Sequence, residues 1–111
     1  VTALGVETGP VERSTILDRS RTGTARRFGA LADPARLRIL GLLGAEPRCV
    51  CELRDDLGMA SNLLSYHLRI LREAGFVRGD RHGRRTEYRL EPGALEAIAS
   101  DVTGIAGRVA T

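Results

Sequence analysis

Two helical patterns separated only by Gly58-Met59-Ala60 constrain this chain more than any other feature. Before the break, Leu53 and Leu57 fall four residues apart; after it, Leu64, Leu68 and Leu71 mark one face. These spacings predict helices over 49–57 and 61–74, the second stopped by Gly75. A glycine-containing turn this short makes two helices cross rather than lie side by side. Their apolar faces then need further elements to close a core. The polar residues of the second helix (Ser61, Asn62, Ser65, Tyr66, Arg69 and Arg72) fall largely on its other sides and stay outside.

The flanking sequence supplies those elements. Asp33-Pro34 is a helix start, with Asp as cap and Pro at the first helical position. The helix it opens holds Leu37, Ile39, Leu40, Leu42 and Leu43. It is apolar on more than one side, so it is expected to be the central, most buried helix. Ahead of it, 25–32 reads as a helix with Phe28 and Leu31 three apart. Further upstream, a turn or two of helix over 14–20 ends in an interruption near Thr22-Gly23-Thr24. After Gly75, Phe76-Val77-Arg78 and Thr86-Glu87-Tyr88-Arg89-Leu90 read as short strands around a turn-rich loop, 79–85. Pro92 opens a last helix with Leu95, Ile98, Val102, Ile105 and Val109 at steps of three or four. The expected fold is mainly α with a small β-hairpin, a dimeric winged helix-turn-helix. A flexible arm over 1–12 precedes one domain over 13–111, which is all that 111 residues support.

Charge indicates what this surface meets. All 17 basic residues are Arg, and the net charge is +3. Between 61 and 90, seven of them (69, 72, 78, 81, 84, 85, 89) stand against Glu73, Asp80 and Glu87, a net +4. A basic excess concentrated on one unit suits a polyanion. Aromatic residues make up 4% of the chain and Trp is absent, so the core is built from Leu, Ile, Val and Ala. A core that small gains by pairing with a second copy. The stripe on the last helix exceeds what one monomer can cover, so Phe28, Leu95, Ile98, Val102 and Ile105 are expected at a homodimer interface. Two cysteines one residue apart make no disulfide framework. No apolar run reaches transmembrane length, and the N-terminal segment lacks a signal-peptide core. The expectation is a cytoplasmic protein with no membrane partner.

In a winged helix-turn-helix the second helix enters the DNA major groove with its first residues on base edges. Here Ser61, Asn62, Ser65, Tyr66 and Arg69 occupy that place. Arg pairs best with guanine and Asn with adenine. Ser61 is expected to cap the helix as well. Arg81, His82, Arg84 and Arg85 of the hairpin would meet phosphates or an adjacent minor groove, positioning more than reading. His67 lies near the leucine face and reads as an interhelical hydrogen-bonding residue, not a base contact. The expected partner is a double-stranded operator, bound by a homodimer without any cofactor.

Cys49 and Cys51, the only thiols, fall in the first turn of the first motif helix. The helix N-terminus and the nearby Arg48 and Arg54 favour thiolate there. Thiolates select soft ions: Zn, Cd, Cu(I), or trivalent arsenic and antimony. On a regular helix, residues two apart point about 200° apart. Both sulfurs can then hold one ion only if the turn unwinds, which would pull the second helix from the groove. The plain alternative is two small buried hydrophobes at a helix start.

These residues resemble the ArsR/SmtB family of bacterial metal-sensing repressors. Ala30-Leu31-Ala32-Asp33-Pro34-Ala35-Arg36-Leu37-Arg38-Ile39-Leu40 is similar to the family's second-helix signature, and Cys49-Val50-Cys51-Glu52-Leu53 to its metal box. The segment from Ser65 to Gly75 resembles its recognition helix, and that from Gly83 to Leu90 its wing. The resemblance implies a homodimer joined by its first and last helices, an operator near its own promoter, and DNA release on effector binding. The departures bear on the effector. Arg54 stands where arsenic-type members carry a third Cys, and the N-terminal arm has no thiol. Asp101 lies in a last helix without His, so the zinc-type site looks broken. Ser61-Asn62 replaces a Gln-Pro pair frequent in arsenic-type members. Two thiolates can hold trivalent arsenic with a hydroxide. A tetrahedral ion would need Glu52, Asp55, Asp56 or a His across the dimer.

The resulting expectation is a DNA-binding transcriptional regulator, a repressor released by As(III), Sb(III) or a soft divalent ion at Cys49 and Cys51. Competing readings keep the fold and change the control: redox, an accessory protein, nickel or zinc, or no direct ligand. A thiol-redox enzyme would need Cys-x-x-Cys in a βαβ setting, which the chain lacks. A protein–protein adaptor on the same scaffold would show no salt-dependent duplex binding.

Overall fold

The computed structural model describes residues 20–110, with side chains through 105. The expected arm over 1–12, the helical turn from Ser14 and the side chain of Val109 lie outside that range. The elements are α1 (Arg21–Leu31), α2 (Pro34–Ala45), β1 (Arg48–Cys49), α3 (Val50–Leu57), α4 (Ser61–Glu73), β2 (Val77–His82), β3 (Arg85–Leu90) and α5 (Ala94–Ala110). None of the described helices is long and apolar enough to cross a membrane.

Local chemistry starts and stops the helices. Asp33 accepts from the Ala35 and Arg36 N–H groups at 2.8 and 3.4 Å, and Pro34 takes the first turn of α2. Ile39, Leu40 and Leu43 of α2 meet Leu53 of α3, Leu64, Leu68 and Leu71 of α4, and Phe76 and Val77 beyond them. Leu53, Leu64 and Leu71 have no exposed surface, so truncating any one to Ala costs about 2–5 kcal/mol. At the end of α4 the Phe76 N–H returns to Leu71 O (2.9 Å) and the Gly75 N–H to Arg72 O (3.0 Å). This Schellman closure needs the left-handed backbone of Gly75, φ 87°.

Buried arginines tie the helices together. Arg36 donates to Ala30 O (2.7 Å) and Gly29 O (3.4 Å) at the end of α1, and its Nη1 lies 3.1 Å from His67 Nδ1 on α4. His67 is therefore the interhelical residue the sequence predicts. Arg27 of α1 meets Asp101 of α5 at 2.6 Å, both side chains almost fully buried.

Several expectations require correction. The helix is not interrupted at Thr22-Gly23-Thr24: Ser20 Oγ accepts from the Gly23 N–H (3.1 Å), and Gly23 is buried inside a continuous α1. The last helix begins at Ala94, after a turn in which Gly93 adopts φ 81°, and not at Pro92. Leu37 on α2 remains 53% exposed, so that helix is less enclosed than its composition indicates.

The β structure is larger than the expected hairpin. β1 pairs antiparallel with β3, giving the sheet order β1-β3-β2 with Cys49 opposite Glu87. β2 and β3 pair from Val77↔Leu90 to His82↔Arg85, so the loop shrinks from 79–85 to Gly83-Arg84. Gly83 at φ 66° supplies the positive φ of a two-residue hairpin turn whose twist matches the strands. Gly79 faces Tyr88 across the ladder, and a Cβ there would lie 3.0 Å from the tyrosine ring.

Candidate nucleic-acid interface and thiol pair

Leu64, His67, Leu68 and Leu71 anchor α4 in the core and turn the opposite face outward. Asn62, Ser65, Tyr66, Arg69 and Arg72 line a groove between α4 and the sheet, closed by Val50 and Tyr88. Tyr66 is about half exposed, with the Arg69 guanidinium 5.9 Å from its ring centroid. Ser61 is not the cap: the cap is Ala60, whose side chain offers no acceptor. Ser61 instead accepts from Arg54 Nη1 at 3.0 Å, linking α3 to α4 across the turn. The Leu63 N–H is met by Asn62 Oδ1 at 2.9 Å.

The sheet's arginines divide by partner. Arg78 and Arg89 lie 3.7 and 3.4 Å from Asp80, and Arg89 lies 3.3 Å from Glu87. His82 Nε2 is 3.7 Å from Glu87. Arg81 and Arg84 at the hairpin tip, like Arg69 and Arg72 on α4, pair with no carboxylate among the described residues. Among the arginines of α4 and the hairpin, the unneutralised charge therefore includes the groove and the tip, where a polyanion spanning the two would run. Tyr88 and Arg72 belong to this surface but were absent from the expected contact set. Arg72 sat in the polar pattern of α4; Tyr88 carried no signal until β3 was paired.

The thiols are arranged differently from the sequence expectation. Cys49 ends β1 and caps α3 in extended backbone, φ −79° and ψ 162°, while Cys51 lies inside the first turn. A capping side chain folds back over that turn. The approximately 200° divergence expected of two helical residues does not apply, because Cys49 is not helical. The Cys51 thiol, aimed at Cys49, is the main influence holding Cys49 below the ordinary thiol range; the Glu52 N–H and Arg85 guanidinium assist against burial. The same contact pushes Cys51 up. Buried Cys49 therefore gives up its proton before exposed Cys51 does.

The neighbours of the pair are committed elsewhere. Glu52 Oε1 accepts from the Cys49 N–H at 2.9 Å, and that bond holds its carboxylate below the usual range. Asp56 binds Arg48 at 2.9 Å. Among the described residues, no group of three or more His, Cys, Asp or Glu side chains is placed to hold a metal ion. Arg85, expected on DNA, is exposed and is held more firmly in its charged form, chiefly by Cys49.

Three helices packed against a strand-braced helix pair, with a basic hairpin beside the second helix of that pair, define a winged helix-turn-helix domain. Residues 33–78 match the model of the bacterial regulatory protein, arsR family. The chain is 45% identical over 78 residues to the HTH-type transcriptional repressor SmtB of Mycobacterium tuberculosis, covering 70% of this chain and 58% of that protein. It is 37% identical over 79 residues to the arsenic resistance transcriptional regulator ArsR1 of Pseudomonas putida, covering 70% and 62%. The match thus spans about three fifths of the length of these curated relatives. A solution structure of the homodimeric winged helix-turn-helix DNA-binding domain Mb0332 (fragment 1–100) from Mycobacterium bovis superposes with a TM-score of 0.62. It shares 34% identity, covering 80% of this chain and 79% of that one. This chain belongs to the arsR family, a family of transcriptional regulators and not of enzymes.

Proposed function

We propose that this chain represses transcription by binding operator DNA as a homodimer, and releases it when Cys49 and Cys51 take up a trivalent metalloid or soft metal ion. The observation that carries the sensing half is the position of Cys49 where β1, β3 and α3 join, with Cys51 in the first turn of α3 beyond it. Cys49 belongs to the sheet through its pairing with Glu87 and to α3 through its cap. An ion drawing the sulfurs together shifts both elements. Arg54 and Leu53 pass that shift to α4 through Ser61 and the core.

For DNA, Ser61, Asn62, Ser65, Tyr66 and Arg69 of α4 enter the major groove, while Arg81, His82, Arg84 and Arg85 meet the backbone beside it. Arg36 and His67 hold α4 at the angle this requires. Leu37, Leu95, Val102 and Ile105 are about half exposed and, with Phe28, supply an apolar face for a second copy. Ile98 is already packed against its own core and contributes less to that face. The dimer then spans two half-sites about one helical turn apart.

The donor set fits the metalloid best, since two sulfurs and an oxygen satisfy trivalent arsenic without a further protein ligand. Asp101, the last-helix carboxylate, is bound to Arg27 and is not free to ligate. The arsenic-resistance role in the name of the Pseudomonas putida relative agrees with this reading.

The test is a titration of a duplex from upstream of the chain's own gene with reduced protein, followed by arsenite, Cd, Zn, Ni or Co. Release by arsenite or Cd at low stoichiometry, abolished in the Cys49→Ser/Cys51→Ser variant, is expected. Release that survives in that variant would move the sensor elsewhere, and failure to bind any duplex would remove the regulatory reading.

A further inference from the structure

Six large hydrophobic side chains stand exposed among the described residues: Leu37, Leu63, Tyr66, Leu95, Val102 and Ile105. Four of them, on α2 and α5, belong to the face proposed for a second copy. The other two, Leu63 and Tyr66, lie three residues apart on α4 and are neighbours on its surface. The Tyr66 ring is engaged, 5.2 Å from the His67 ring and 5.9 Å from the Arg69 guanidinium. Leu63 is 46% exposed. Ile70, two turns further along α4, packs against the core cluster; Leu63 is not among the hydrophobics that do. Its position follows from its neighbour. Leu64 is fully buried, and adjacent residues on a helix diverge by about 100°, so anchoring Leu64 turns Leu63 off the core. Asn62 Oδ1 accepts from the Leu63 N–H at 2.9 Å, in the first turn of the helix.

We propose that Leu63 is a specificity residue of α4, packing on the 5-methyl group of a thymine in each operator half-site. This rests on the reading of α4 as the helix that enters the major groove, and adds to it a base that its polar residues do not read. The first residues of such a helix reach base edges. In that groove base pairs present donors and acceptors, and thymine alone adds a methyl group. The end of a leucine side chain has no hydrogen bond to give, and a methyl is what it can cover. A cytosine in the same place presents an amino group. Leu63 would strip that donor of water and return no acceptor, which costs affinity. Arg69 and Arg72 on the same helix pair with no carboxylate among the described residues, so the surface around Leu63 already suits a duplex.

The test removes the methyl from the DNA and the leucine from the protein, separately and together. A duplex from upstream of the chain's own gene is titrated with the parent, Leu63→Ala and Leu63→Met, with each thymine in turn replaced by deoxyuridine. Leu63 is exposed, so both substitutions leave the core intact. Burying one methyl corresponds to about three- to fivefold in affinity. At one thymine of a half-site, deoxyuridine should weaken the parent and Leu63→Met by about that factor and leave Leu63→Ala unchanged. A methyl that acts by stiffening the duplex would matter equally to all three proteins, and that result would overturn the proposal. So would a parent that binds the duplex specifically yet responds to no deoxyuridine, the behaviour expected if Leu63 instead faces another protein. Both results leave α4 standing as the reading helix. A parent that binds no such duplex would remove the DNA reading and this inference with it.

Discussion

Replacing Asp101 with leucine strands a guanidinium. Arg27 Nε and Asp101 Oδ2 lie 2.6 Å apart with side chains 6% and 2% exposed, so neither charge can turn to water instead. Breaking a pair this deeply buried costs about 3–5 kcal/mol, most of it the desolvation of the survivor. In a domain of this size, even 3 kcal/mol lowers Tm by roughly 10 °C. The pair itself is imperfect, because Arg27 Nη2 is buried with no partner among the described residues. Removing both charges, as Arg27→Met with Asp101→Leu, should therefore bring stability back to within about 1 kcal/mol of the parent, or above it. The coupling energy between the two sites is then about 5 kcal/mol or more. Urea unfolding of the parent, both single variants and the double variant measures it. One protein concentration must serve throughout, since the stability of the proposed dimer depends on it. A single variant within about 1 kcal/mol of the parent, or a double variant that loses the full total of both singles, refutes the reasoning.

Three further outcomes are expected. Arg81→Ala and Arg84→Ala should each reduce the salt slope of duplex binding by about one, on operator and unrelated DNA alike, whereas Arg69→Ala should weaken the operator selectively by about 1–3 kcal/mol. Equal losses on both duplexes would remove the base-reading role of Arg69. Gly79→Ala drives a methyl to 3.0 Å from the Tyr88 ring and should destabilise the sheet by about 1–3 kcal/mol in thermal melts, while an unchanged melt would mean the ring yields freely. Burial raises the Asp33 carboxyl, but the Ala35 and Arg36 N–H groups and the Arg36 charge outweigh it, so its folded value lies below the unfolded one. The stability it contributes is present above the unfolded carboxylate range and disappears as pH falls through the lowered value. Asp33→Asn keeps the cap and should flatten the acid limb of stability against pH; superimposable acid limbs would count against it.

What the sequence made legible follows from how local each cause is. Asp33-Pro34, Gly75 and the leucines of α4 act within one or two turns, and those boundaries agree with the structure. The start of α1 was misplaced because a buried glycine and a helix-breaking glycine look alike in sequence: only packing distinguishes Gly23. β1 was missed because two residues carry no periodicity, and its existence depends on β3 far along the chain. That omission had the largest consequence for the site. With Cys49 taken as helical, the thiols diverge by about 200°; with Cys49 as the extended residue joining β1 to α3, that divergence no longer holds. The basic excess over 61–90 was visible from composition, but which arginines remain unpaired emerged only when Asp80, Glu87 and Glu91 were placed beside Arg78 and Arg89.

The position Cys49 occupies has a genetic consequence. Serine is among the residues an N-cap favours most, and a single base change turns a cysteine codon into a serine codon. At most positions in a core, losing a buried residue endangers folding. Here the exchange replaces a weak cap with a good one and leaves the Glu52 N–H an oxygen to bind. Under the proposed thiol sensor, a descendant could thus fall deaf to its signal in one mutational step while its folding and its proposed grip on DNA persist, and recover by the reverse step. Between relatives of this architecture, the capacity to respond can therefore change far faster than the scaffold that carries it.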